Sequence, residues 1–122
     1  MIKDIIIVGI GSGIGGIFRY LISLAMSQVC ISFPLGTLMV NIVGSLLIGI
    51  LWGVASHIPN LSPAFLLFLM VGFCGGFTTF STFSKECLML LQTSNYLLFS
   101  VYTIGSIVLG IATVALGYIL TK

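Results

Sequence analysis

Gly72, Gly75, Gly76, Thr78, Thr79, Ser81 and Thr82, interleaved with Phe73, Phe77, Phe80 and Phe83, sit in the middle of a long apolar segment. Such a cluster reads as a broken membrane helix built around an ion. Lipid supplies no water to a loosened backbone, so a break is tolerated only where it faces protein or a wet cavity. The glycines, followed by Thr78 and Thr79, allow the segment to unwind midway. Freed carbonyls are cation ligands, and the amide-rich start of the next half-helix favours anions. With Thr78 at zero and about 100° per residue, Ser81, Thr82, Lys85 and Glu86 gather on one face, whereas Phe80 and Phe83 fall at about 200° and 140°, opposite. Hydroxyls and phenylalanines therefore cannot line one wall of a single straight helix. If both serve one pathway, different helices or different subunits supply them. A phenylalanine ring has a positive edge, so a small anion can rest against ring hydrogens while the apolar body strips its water. Taken alone, a phenylalanine in a chain with nine of them is an ordinary lipid-facing or packing residue. The adjacent break is what singles out Phe80 and Phe83.

Polar residues elsewhere extend the constellation. Thr37, Asn41, Gly44 and Ile48 share one helix face. At membrane depth the Asn41 amide, with two N–H donors, must find a partner: either an ion or a neighbouring helix. Arg19 lies about two turns from the end of the first apolar run, where it either snorkels to the interface or lines a basic vestibule that attracts anions. Tyr102, Ser106, Gly110, Thr113 and Gly117 form a small and polar stripe facing protein. Tyr102 and Ser106 extend a hydroxyl path or serve helix packing.

The elements that position these residues follow from composition. At 59% hydrophobic and 5% charged, the chain of 122 residues is far too apolar for a soluble domain, where roughly a quarter of residues are charged. Residues 1–122 form a single all-α membrane domain. Its four apolar runs, Ile5 to Met26, Leu35 to Ala55, Ala64 to Leu91 and Tyr96 to Leu120, each reach the roughly 20 residues that cross the hydrocarbon core. The first run is too long and glycine-rich for a signal peptide. Pro34 precedes the second span, and Ser62-Pro63 is a helix start, cap then proline. Gly9 with Gly13, Gly11 with Gly15, and Gly49 with Gly53 are small-residue pairs that let helix backbones approach.

Several motifs carry no chemistry here. Gly11 to Gly16 matches the dinucleotide fingerprint, but no acid follows it before Glu86 to hold a ribose, so no nucleotide site is expected. No nucleic-acid partner is expected either. Cys30, Cys74 and Cys87 form no CxxC pair and read as packing residues rather than a disulfide or zinc site. His57 is alone in a short loop, and Asn60-Leu61-Ser62 is a chance match to a glycosylation acceptor. No nucleophile stands beside a base, so an enzyme is not expected.

Threading four spans up and down leaves Lys3 and Lys122 on the terminal side and Arg19 and Lys85 on the other, with Asp4 and Glu86 divided just as evenly. The lysine and arginine bias that orients membrane proteins is absent. Such a chain is free to insert both ways and pair as an antiparallel dimer, unless one marginal charge or the translocation machinery imposes a single orientation.

Three pieces, occurring in this order, resemble the Fluc (CrcB) fluoride channels: Gly13-Ile14-Gly15-Gly16-Ile17-Phe18-Arg19-Tyr20, then Phe33-Pro34-Leu35-Gly36-Thr37-Leu38-Met39-Val40-Asn41-Ile42-Val43-Gly44, then Gly72 to Phe83. The resemblance spans the whole chain. It implies an antiparallel dual-topology homodimer of four-helix subunits with the third helix broken. Two pores, each using parts of both subunits, would export fluoride passively across a prokaryotic inner membrane. Phe80 and Phe83 would form an aromatic box, the Asn41 amide would donate to fluoride, and Ser81 and Thr82 would belong to the polar lining. Glu86 and Tyr102 would stand at the far end of the path and Arg19 in an entrance region. Main-chain carbonyls of Gly75 and Thr78 from both subunits would hold a structural sodium ion on the twofold axis. A small multidrug exporter has a similar outline but needs a carboxylate inside the first helix, and none lies between Ile5 and Met26. A purely structural subunit would leave the hydroxyl face of the third span without purpose.

Overall fold

The computed structural model describes residues 1–29 and 32–122. Cys30 lies outside them. In chain order the elements are α1 (Ile2–Met26), α2 (Leu35–His57), α3 (Pro63–Leu66), a π-helical stretch (Leu67–Cys74), α4 (Gly75–Phe77), α5 (Ser81–Gln92) and α6 (Tyr96–Thr121). No strand occurs among the described residues. Four helices are long and apolar enough to cross a membrane: Ile2–Met26, Leu35–His57, Pro63–Gln92 and Tyr96–Thr121. Each extends its apolar run by only one to three residues, because the ends continue the helical ladder into the interface. His57 is a consequence of this: it sits in the last turn of α2 rather than in a loop, with Nδ1 3.1 Å from the Gly53 carbonyl.

Ser62 caps α3 by accepting from the Phe65 amide at 3.4 Å, and Pro63 fills the first helical position. At the other end of the third span, Ser94 takes a left-handed conformation (φ 60°), which turns the chain tightly from α5 into α6. The Ser94 and Asn95 amides then satisfy the Leu91 and Leu90 carbonyls at 3.1 and 2.9 Å.

Two glycine seams hold the bundle. In the first, α1 meets the π-helical stretch and α4: a methyl at Gly11 would lie 2.6 Å from the Phe68 carbonyl oxygen and 3.0 Å from the Gly72 Cα. Gly15 and Gly76 are equally closed off by backbone, Gly15 by Phe73 and Phe77, Gly76 by Ser12. Ser12 Oγ donates to the Gly72 carbonyl across this seam at 3.3 Å. The pair Gly9 and Gly13 takes no part, since nothing lies within 4 Å of either missing Cβ. Only one of the two glycine stripes on α1 therefore faces a neighbour within the subunit.

The second seam joins α2 to α6, where Gly49 and Gly53 meet the backbone of Val114 and Tyr118, and Gly117 meets that of Leu46 and Ile50. Thr121 Oγ1 reaches across to the Ile50 carbonyl at 3.2 Å, and Trp52 stacks on Tyr118 with ring centroids 4.2 Å apart. Cys74 is fully buried and Cys87 half-buried, its Sγ 3.5 Å from Thr103 Oγ1. Both sit as small packing groups.

Candidate ion pathway

The glycines of the third span do not unwind. Gly72, Gly75 and Gly76 all lie in helical turns, the first in the π-helical stretch and the others in α4. Departure from the helix comes two residues after Gly76, at Thr78, whose backbone is extended (φ −86°, ψ 161°), and helix resumes at Ser81. The physical reason is the α1 seam. Backbone-to-backbone packing at Gly72 and Gly76 keeps the chain helical there, in π turns at Gly72 and α turns at Gly76, and the first residues beyond that contact are free to leave the helix.

Asn41 of α2 holds the extended residues in place. Its Oδ1 accepts from the Thr79 amide at 2.8 Å, and its Nδ2 donates to the Thr79 carbonyl at 3.1 Å. Both groups of one residue are satisfied by one side chain, which fixes the orientation of the amide and leaves its second N–H unused by this pair. In a continuing helix the Thr79 amide would bond the Gly75 carbonyl. Diverting it to Asn41 removes that carbonyl's helical donor. A second diversion follows: the Thr82 amide donates to Thr79 Oγ1 at 3.2 Å, so the Thr78 carbonyl loses its helical donor too. Thr78 itself folds back, its amide and Oγ1 both donating to the Cys74 carbonyl at 3.0 and 2.8 Å.

Arg19 lies outside the cavity described below. Its Nε donates to the Gly76 carbonyl at 3.0 Å, at the C-terminal end of α4, where a cation suits both an unpaired carbonyl and the helix dipole.

One face of α2 runs alongside the third span in register. Gly44 accommodates Phe77 and Thr78, Asn41 pairs with Thr79, and the buried Thr37 donates through Oγ1 to Glu86 Oε2 at 3.0 Å. The other oxygen, Glu86 Oε1, accepts from the Tyr102 hydroxyl of α6 at 2.8 Å. Tyr102 is only 1% exposed, and its ring is walled by Phe83 at 5.0 Å and Phe33 at 5.4 Å between centroids. The aromatic and carboxylate sides of α5 therefore meet through a residue of α6.

Phe80 and Phe83 stand 6.0 Å apart, centroid to centroid, tilted by 43°. Their surroundings differ. Phe83 is half-buried against Tyr102, whereas Phe80 is 78% exposed and projects away from the rest of the subunit. A helical wheel begun at Thr78 does not describe Phe80, because helix starts only at Ser81. It does hold within α5, where Thr82, Lys85 and Glu86 line a common cavity of about 580 Å³ with Thr37 and the start of α2. Ser81 is exposed outside that cavity, with its Oγ 3.4 Å from Thr79 Oγ1. One turn along α6 from Tyr102, the hydroxyl of Ser106 is buried with no partner among the described residues. Reasoning from sequence missed the pairing of Thr37 with Glu86. Its signal was there, in the shared face of Thr37 and Asn41 on α2.

The arrangement offers spare N–H and O–H donors at Asn41 and Ser106, aromatic edges at Phe80 and Phe83, and two backbone carbonyls released from helical bonding. It offers no nucleophile set against a base. Comparison with known proteins supplies the family. Positions 6–118 match the family model described as CrcB-like protein, Camphor Resistance (CrcB). A protein of Azobacteroides pseudotrichonymphae named fluoride-specific ion channel FluC is 45% identical, covering 100% of this chain and 98% of that protein. Proteins of the same name from Phocaeicola vulgatus and Bacteroides fragilis are 45% and 46% identical, each over 94% of this chain. With a match running through all four spans, the chain belongs to the CrcB-like family.

Proposed function

We propose that this multi-pass membrane protein is a fluoride-selective channel, not an enzyme, and that it exports cytoplasmic fluoride passively from a prokaryotic cell across its inner membrane. One observation carries the reading: the third span leaves its helix at Thr78 to Phe80, and a membrane asparagine, Asn41, holds the loosened backbone there. Relatives named fluoride-specific ion channels, near 45% identity along the whole chain, supply the ion. Hydrogen fluoride crosses lipid as a neutral weak acid, ionises inside and is trapped; a passive path for the anion relieves the accumulation and confers fluoride resistance.

Fluoride is small and strongly hydrated, so a path for it must replace water with hydrogen-bond donors and still penalise larger anions. Spare donors at Asn41 and Ser106, with the hydroxyls of Ser81 and Thr82, suit the first task. The edges of Phe80 and Phe83 suit the second, since ring hydrogens contact an anion weakly and only at close range. Glu86 and Tyr102, tied together and to Thr37, stand at the end of the path nearest the cavity.

The exposed ring of Phe80 lacks an opposing wall within one subunit, which favours completion by a partner. An antiparallel dual-topology homodimer with two pores provides it, and the even division of lysine and arginine permits both insertions. The third helix is then a broken helix in the functional sense, its break shared between subunits. The Gly75 and Thr78 carbonyls fit a structural sodium ion at the dimer centre: hard oxygen ligands suit a hard cation, both have lost their helical donors, and nothing lies within 4 Å of the missing Gly75 Cβ. Bound there, sodium would neutralise the converging carbonyl dipoles of two subunits.

Reconstitution in liposomes tests the channel directly, following fluoride and chloride efflux from the parent, Phe80→Ile and Phe83→Ile. Fluoride efflux without comparable chloride efflux is the expected result. No fluoride efflux, or chloride efflux of similar size, would sink the channel; unaltered flux in both variants would sink the aromatic role alone.

A further inference from the structure

Lys85 lines the cavity at the α1–α2 end of the bundle, beside Thr37, Thr82 and Glu86, and nothing in the pathway above uses it. Its side chain is exposed, while Glu86 is half-buried. The lysine is thus the solvent-facing charge of the cavity and the carboxylate the more buried one. Both Glu86 oxygens accept from neutral hydroxyls, those of Thr37 and Tyr102. Among the described residues Lys85 forms no ion pair. The chain's other acid, Asp4, lies in the first turn of α1, at the far end of the bundle.

These positions matter for an anion. A half-buried carboxylate in a cavity repels fluoride, and low-dielectric walls focus that field rather than disperse it. A solvent-facing cation reverses the sign of the potential that an arriving anion meets first. We propose that Lys85 is an electrostatic gathering residue, raising the local concentration of fluoride at this cavity against the charge of Glu86. The inference rests on the channel reading and adds a residue that sets the rate of entry without touching the narrow part of the path.

Ionic strength separates this role from a structural one. Fluoride flux at a fixed low fluoride concentration is measured at about 10 mM ionic strength, where the Debye length is about 30 Å, and at about 1 M, where it is about 3 Å, using a large organic anion as the added salt. The proteins compared are the reconstituted parent, Lys85→Arg, Lys85→Gln and Lys85→Glu. At low ionic strength Lys85→Gln should fall by about threefold to tenfold, Lys85→Glu further, and Lys85→Arg should match the parent. At high ionic strength all four should converge. The parent alone gives a second reading that requires no variant to fold: its flux should decline as salt rises. Equal flux in parent and Lys85→Gln at low salt would overturn the proposal, as would a deficit of the same size at both ionic strengths. A parent that carries no fluoride would instead remove the channel reading, and this inference with it.

Discussion

The third span has two halves that solve opposite problems with neighbouring residues. Before Thr78, Gly72 and Gly76 press backbone against the backbone of α1, and the helical hydrogen-bond ladder has no reason to open. After it, Thr79 has exchanged helical partners for the side chain of Asn41, and the Thr82 amide has turned to a threonine hydroxyl. The first half is closed by removing side chains; the second is opened by supplying polar ones. In lipid a helix can be interrupted only beside a partner that takes over the backbone groups. Glycine alone does not interrupt it. Where a second backbone packs closely, glycine keeps the chain in helical turns, π at Gly72 and α at Gly76.

The largest effect expected from this contrast is in the closed half. Gly11→Leu must displace the Phe68 carbonyl and the Gly72 backbone, a clash with main chain that puts it at the top of the usual overpacking range, about 3 kcal/mol. The variant should fail to give a monodisperse peak in detergent. Gly13→Leu, two residues away with nothing within 4 Å of its missing Cβ, should leave the subunit fold intact by the same chromatography and by thermal melting. Equal loss in both would show that the closed half is not held by the Gly11 seam.

In the open half, Asn41→Ala should leave the Thr79 amide and carbonyl without partners, at about 2 to 3 kcal/mol, and should abolish fluoride efflux even where protein survives. Melting in detergent together with liposome flux reports both. An unchanged melting temperature would break the comparison, since it would mean that the extended backbone does not depend on Asn41. A smaller change is expected for Tyr102→Phe, which keeps the ring packed between Phe83 and Phe33 but removes one hydrogen bond to Glu86. The cost should be about 1 to 2 kcal/mol, with fluoride flux reduced several-fold and the subunit still folded. The smallest effect on stability belongs to Ser106→Ala. Its hydroxyl is buried without a partner, so deletion should be neutral or stabilising by up to about 1 kcal/mol. Flux should nevertheless fall, because a donor is lost from the path; flux at the parent level would remove Ser106 from it.

Much of the architecture was legible from residue types. Four apolar runs gave four helices with boundaries within a few residues, because hydropathy over about 20 residues is a direct readout of the solvent each segment meets. Asn41 stood out because a lone amide at membrane depth must have a partner, yet that rule does not name the partner, and Thr79 came only with the packed structure. Arg19 shows the same gap. Snorkelling and a vestibule were both consistent with its position along the helix, and the outcome, a bond to the Gly76 carbonyl, depends on how α1 lies across α4.

Residue types along the chain were enough for an all-helical membrane protein with four spans and for picking out its rare polar residues, from Arg19 and Asn41 to Tyr102 and Ser106, since hydropathy and the placement of such residues are local properties of the chain. Tertiary structure alone decided where the third helix opens, which glycines close a seam, and that Phe83 and Glu86 are joined through Tyr102. Those outcomes depend on which backbone group finds which donor across helices, and periodicity along one helix carries no information about its neighbour's register.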